Sequence, residues 1–389
     1  MERQRSRRRF LAATGGLATL TGLAGCQGAN ESTETDAPTD SDAAATPTPT
    51  VSETDTPTRM MTDMIGREVA VPATVDSVIG LGSGGLRMVV YVGAASKVVA
   101  VEDQETGSKR DTRPYLLANP ELAEKPSIGS RKDPNVETII QEDPDVIVWG
   151  FAGKKKANTL QEQTGIPVVV VTPGALTDPV RENFYDTLDL TGRLLNQEER
   201  ASELAEYTQN QFQSVIDARP ESSDESPRVY IGYLGRGKHG LLYTQPRYPA
   251  FSATGAYNVA SGVTEDLKTK KGAARTTINA ETFIQWDTEY LFVDLGGESY
   301  SDISNPEYES ISAIENDRIY GVLPTRDYST NFGTSLANVF YVASVLFPDA
   351  YDVDPAAKAD EIYEQFVGAP VYDATVEAYG GGFGKLTID

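Results

Sequence analysis

The chain has 389 residues and carries 34 Lys and Arg against 57 Asp and Glu, a formal net charge of −23. That surplus repels nucleic acid and anionic membrane surfaces, which excludes both as targets of the folded body. One Cys and one His leave no intramolecular disulfide, no thiolate metal cage and too few imidazoles for a bare zinc or manganese site, and they count equally against zinc hydrolysis and His-based nucleophilic catalysis.

The chain opens on Ser6-Arg7-Arg8-Arg9-Phe10-Leu11, which fits the twin-arginine export pattern S-R-R-x-F-L. Ala12 to Ala24 follow as a small-residue apolar stretch, too short and too rich in Gly and Thr to span a membrane. Leu23-Ala24-Gly25-Cys26 has the form of a lipobox, so residues 1–25 read as a lipoprotein signal peptide and Cys26 as the lipidated start of the mature chain. Cleavage would remove five Arg and one Glu and take the net charge from −23 to about −27. Residues 26–58 read as a disordered, acidic Thr/Pro linker on that lipid anchor, because nothing in them can form a core. The expected location is the outer face of the cell membrane. Low Lys with abundant Asp and Glu resembles the proteins of salt-loving organisms, where surface charge serves solubility.

The body reads as two α/β lobes with mainly parallel sheets, joined by one long helix. Residues 59–179 form the first lobe, 180–220 a helical region and 221–389 the second lobe. Thr62 to Pro72 suggests a hairpin turning at Gly66-Arg67. Val78 to Leu81, Leu86 to Val92 and Val98 to Val101 then make a strand–helix–strand unit, whose strands should be parallel and buried. Helices are expected at 135–141 and 154–164, and strands at 145–149 and 166–171. Val180 to Leu195 predicts a helix, and Asn196 with Glu199 predicts a capping box opening the long helix from Gln197 to Ala218. The second lobe restarts at Arg228, continues through strands at 290–294 and 319–323, and closes on helices at 334–346 and 355–367, the last element expected.

Gly80-Leu81-Gly82-Ser83-Gly84-Gly85 fits G-x-G-x-x-G, with Glu102 near the place of a ribose-binding acid. That keeps a secreted NAD- or FAD-dependent oxidoreductase open, although the match begins inside the strand and the second half offers no catalytic group. A surface adhesion or structural lipoprotein is a third reading.

Several motifs in order carry a resemblance over about residues 62–367. They are Thr62-Asp63-Met64-Ile65-Gly66-Arg67-Glu68-Val69, Pro72 to Val78, Glu142-Asp143-Pro144-Asp145-Val146-Ile147, Trp286-Asp287 before Tyr290 to Val293, and Asn316-Asp317-Arg318-Ile319-Tyr320. The chain resembles the solute-binding lipoproteins of ABC importers that take iron chelates, cobalamin or haem, class III with a long inter-lobe helix, in a haloarchaeal type. The resemblance implies a monomeric binder rather than an enzyme, with no cofactor, whose partners are an ABC permease and its ATPase. The implied cargo is a pre-chelated iron(III) complex such as a siderophore, with cobalamin, haem, molybdate or tungstate as alternatives.

Ligands of parallel sheets sit beyond the carboxyl ends of the strands. On that rule Ser83, Gly84 and Arg87 follow the first strand, Arg113 and Tyr115 the second, and Trp149 the third. From the second lobe come Arg236 and His239, then Asp294, then Tyr328 and Asn331. Arginine forks onto carboxylate or phosphate and aromatic rings cover an apolar frame, which suits an anionic organic chelate. Arg87, on a helix, reads more readily as a solvated or paired residue, and Trp149 reads equally as core.

Overall fold

The computed structural model describes residues 57–106, 112–220, 226–235, 240–263, 275–297 and 299–387. The twin-arginine segment, Cys26, the linker up to residue 56, and Arg236 and His239 lie outside the described residues.

The first sheet has four parallel strands, ordered Val98–Ala100, Val78–Gly82, Val146–Gly150, Val168–Val171. Every residue of the last three is buried, as expected of β-branched runs covered on both faces. The hairpin pairs Thr58–Thr62 with Glu68–Pro72 and is tied down by a buried ion pair, Arg67 Nε to Asp63 Oδ2 at 3.1 Å. Arg67 also donates to Asn158 Oδ1 (3.1 Å) and to the Val168 carbonyl, while Asp63 accepts from Val170 N at 3.3 Å. The opening Asp-x-x-x-Arg motif is therefore a structural clamp.

The second sheet is ordered Tyr257–Asn258, Arg228–Gly232, Tyr290–Asp294, Ile319–Val322, all parallel, with Gly384–Lys385 antiparallel at the edge. The two lobes share a building plan at the same spacing. Asn135 accepts from Thr138 N (3.1 Å), Asp143 ends the helix at φ 44°, and a strand starts at Val146. Asn279 accepts from Thr282 N (2.7 Å), Asp287 ends the helix at φ 43°, and a strand starts at Tyr290. In each lobe a carboxylate next to the strand start, Asp145 or Glu289, receives the amide of the lobe's first strand region, Ser77 N or Arg228 N at 2.8 Å.

Between the sheets run helices Glu182–Leu195 and Glu198–Asp217, the second 20 residues long and hence about 30 Å. The expected capping box does not form. Asn196 sits at φ 58° as the left-handed C-cap of the first helix, and Gln197 begins the second with no side-chain cap. Arg59 donates instead to the carbonyls of Arg193 and Leu194 (2.5 and 3.0 Å), placing a cation at the negative end of that helix. After Pro355–Val367 the chain adds helix Tyr372–Tyr379 and the edge strand, held by Phe383 stacked on Tyr341 at 4.4 Å. That addition lay outside the sequence reading because it rests on aromatic contacts rather than periodicity.

Behind the cleft the lobes share apolar packing. Helix Phe332–Leu346 is buried nearly all round, and its Phe332 stacks on Phe184 at 4.1 Å.

Candidate functional site

The carboxyl ends of both sheets face one cleft, and a short hairpin from the second lobe enters it. Arg326–Asp327 pairs antiparallel with Ser329–Thr330, and Tyr328 turns the corner at φ 61°. Gly84, at φ 89°, lets this hairpin approach, since a Cβ there would stand 2.9 Å from Ser329 Oγ.

The first lobe's side of the cleft is a buried charge network. Arg113 pairs with Glu105 at 2.9 Å and with Asp327 of the hairpin at 3.5 Å. Tyr115 donates to the same Glu105 oxygen (2.6 Å), and Thr112 donates to Asp327. Burial opposes the Arg113 charge, but Tyr115, Glu105 and Asp327 outweigh it and hold the guanidinium above its ordinary value. Arg87, only 1% exposed, forks onto the carbonyls of Asp327 (2.9 Å) and Thr330 (3.0 Å) and covers the Tyr115 ring at 4.8 Å.

Beside it, Tyr328 Oη donates to Glu102 Oε2 at 2.6 Å, and Gly82 N donates to the same oxygen at 3.0 Å. Burial pushes the Glu102 carboxyl up to about 7; the bonds from Tyr328 and Gly82 pull it back in part, while Glu105 adds to the rise. Burial and then Glu102 push the Tyr328 phenol well up. The Tyr328 ring lies between the guanidinium groups of Arg113 (5.2 Å) and Arg131 (5.6 Å), and Arg131 also donates to Ser83 Oγ at 2.6 Å.

The second lobe's side is different. Arg275 abuts Gly235, whose Cβ would lie 3.5 Å from its Nη1, and its buried Nε has no hydrogen-bond partner among the described residues. Arg326 keeps much of its side chain in solvent, yet lost hydration at the cleft and then repulsion from Arg275 push its guanidinium below the ordinary value. Among the described residues no carboxylate lies within ion-pair distance of either. Asp294, buried at the end of its strand, is raised to about 6 by desolvation, with Arg275 and Gly296 N opposing. Ala175 of the first lobe and Gln245, Arg275, Thr325, Arg326 and Ser335 of the second line a cavity of about 20 Å³. Ser335 belongs to the first turn of helix Phe332–Leu346, whose positive end favours anions.

The expected residues thus fall into three environments. Arg87, Arg113 and Tyr115 lie inside the network with their guanidinium and hydroxyl groups engaged. Trp149 is core, 5% exposed, packed with Ile79 and Leu81. Ser83, Gly84, Asp294, Tyr328 and Asn331 border the cleft, Asn331 as the buried N-cap whose side-chain atoms have no partner among the described residues. Sequence reading missed Arg275 and Arg326. Arg275 follows no recognised strand, and Arg326 lies just after one, overshadowed by Tyr328.

Two α/β lobes that present strand ends across a common cleft define a two-lobed solute binder. The Periplasmic binding protein family matches residues 78–324, and the chain belongs to that family. It is 21% identical to the molybdate-binding protein MolA of Haemophilus influenzae over 342 residues, covering 79% of this chain and 90% of the relative. The iron-uptake system-binding protein of Bacillus subtilis is 22% identical over 204 residues, 49% of this chain and 59% of that protein. The solved structure of H. influenzae MolA bound to molybdate aligns with a TM-score of 0.62 at 18% identity, over 80% of this chain and 98% of that one. By family the protein is a periplasmic binding protein. No helix among the described residues is long and apolar enough to cross a membrane.

Proposed function

We propose that the protein captures an anionic cargo between its lobes and presents it to an ABC permease and its ATPase, held at the outer face of the membrane through Cys26. One observation carries the reading: Arg275 and Arg326 share a side of the cleft with no carboxylate in ion-pair distance among the described residues, so their charges await a ligand. A small oxyanion of the molybdate or tungstate class matches that pair best. Two guanidinium forks, the hydroxyls of Thr325 and Ser335 and a helix N-terminus supply donors, with Ala175 and Pro249 completing the wall. A pre-chelated iron(III) complex is the second reading. Phe151, 52% exposed just beyond the strand Val146–Gly150, and the Tyr328 ring would cover an organic frame.

Calorimetric titration of the full chain tests both, in concentrated KCl to suit its acidic surface. Saturable molybdate or tungstate binding, weakened about 10- to 100-fold by Arg275→Ala, is the expected result. Binding of a ferric siderophore alone would install the second reading. Silence toward every anion in the panel would remove the anionic cargo.

A further inference from the structure

The hairpin Arg326–Thr330 carries two kinds of residue. Arg326 faces the cargo cavity with Arg275. The next two residues lock the lobes: Asp327 takes Arg113 and Thr112, and Tyr328 takes Glu102, all from the first lobe. Arg87 adds two bonds to the hairpin's own carbonyls, and Thr330 Oγ1 donates to the Gly174 carbonyl at 3.2 Å. The Asp327 carboxylate thereby meets Arg113, the hairpin's carbonyls meet Arg87, and the Tyr328 ring lies within 5.6 Å of the Arg113 and Arg131 guanidinium groups. With the hairpin seated, the cavity beside Arg275 and Arg326 measures about 20 Å³. A single water needs roughly 10–15 Å³ measured this way, so a four-oxygen anion does not fit.

We propose that the Arg326–Thr330 hairpin is an autoinhibitory strap: its Asp327, held by Arg113 and Thr112, and its Tyr328, held by Glu102, pin it to the first lobe and keep the cargo cavity shut. An anion engaging Arg326 pulls on the same two-residue strand that bears the lock, so binding and strap release are one event. The apparent affinity is then the intrinsic affinity reduced by the fraction of molecules with the strap released. This inference rests on Arg275 and Arg326 being the cargo's anchors only for its link to binding; the lock itself stands on the hairpin contacts.

The test uses the full chain, wild type against Asp327→Asn/Tyr328→Phe, and begins without ligand. Hydrogen exchange should quicken about tenfold at 84–91 and 326–331 and stay unchanged at Tyr290–Asp294, which also reports that the variant is folded. Phenylglyoxal, which labels accessible guanidinium groups, should modify Arg113 and Arg275 about tenfold faster in the variant. Unchanged exchange and labelling overturn the strap. Molybdate titration follows. Affinity about tenfold tighter in the variant supports the autoinhibition, and weaker affinity overturns it. Faster exchange and labelling with no molybdate binding by either protein keep the strap and remove molybdate as the cargo. Tyr328→Phe alone, which keeps the ring between Arg113 and Arg131, should move exchange and labelling the same way by less.

Discussion

The two sides of the cleft use arginine in opposite ways. On the first lobe, Arg113 sits against Glu105 and Asp327 and is held above its ordinary value. On the second, Arg326 loses hydration at the cleft and then feels Arg275, and both push it below that value. A buried guanidinium with internal carboxylates is part of the architecture, whereas one sharing a cavity with another cation is the anchor proposed for the cargo. Residue type alone does not separate the two; the charge of the neighbours does.

Removing Arg113 should break this contrast most severely. Arg113→Ala leaves Glu105 and Asp327 buried without a cation and should cost about 3–5 kcal/mol in urea unfolding, with or without cargo. Arg275→Ala should shift the urea midpoint by less than about 0.5 kcal/mol equivalent while weakening the cargo. Equal stability losses in the two variants would erase the distinction.

The acid side of the network sharpens it through pH. The Glu102 carboxyl rises from 4.5 to about 7 on folding, and Asp294 from 3.8 to about 6. Between those values the unfolded chain has released protons that the folded chain still holds. These two groups therefore add stability that is full below about pH 4 and lost as pH climbs to about 7. Glu102→Gln, which still accepts from Tyr328 and Gly82, should gain roughly 3 kcal/mol over wild type at pH 8 and nothing at pH 4. Parallel stability curves for the two proteins from pH 4 to 8 would contradict the burial assigned to Glu102.

Arg87→Met keeps the stem and loses the bonds to Asp327 and Thr330, so a cost of about 2 kcal/mol is expected from thermal unfolding. The smallest effect compares the lobes as copies. Asn135→Ala and Asn279→Ala remove the same cap at the same place in each plan, and each should cost about 1 kcal/mol. A large inequality would show that the two helices do not serve equivalent roles.

Much of the architecture was legible in the residues. The all-apolar runs at 78–82, 146–150 and 168–171, the breakers Gly165 and Asp143-Pro144, and the Asp63/Arg67 motif report local periodicity and turn chemistry, which act over a few residues. The repeated Asn-cap, left-handed Asp and strand start is equally present in the sequence, but single residues at matching spacing make a faint signal. Asn196 misled for a physical reason: Asn tolerates both an N-cap and a left-handed C-cap, and the preceding helix claimed it.

The sequence by itself determined the strand–helix alternation, the two lobes, the long helix between them and the cleft at the strand ends. It also placed arginine and tyrosine near that cleft. Only the tertiary structure decided which of those arginines are spent. Arg87 and Arg113 meet carbonyls and carboxylates from a hairpin more than 200 residues away, while Arg275 and Arg326 line one cavity with no carboxylate in ion-pair distance among the described residues. Electrostatic neutralisation depends on what arrives through space, and no local pattern encodes that arrival.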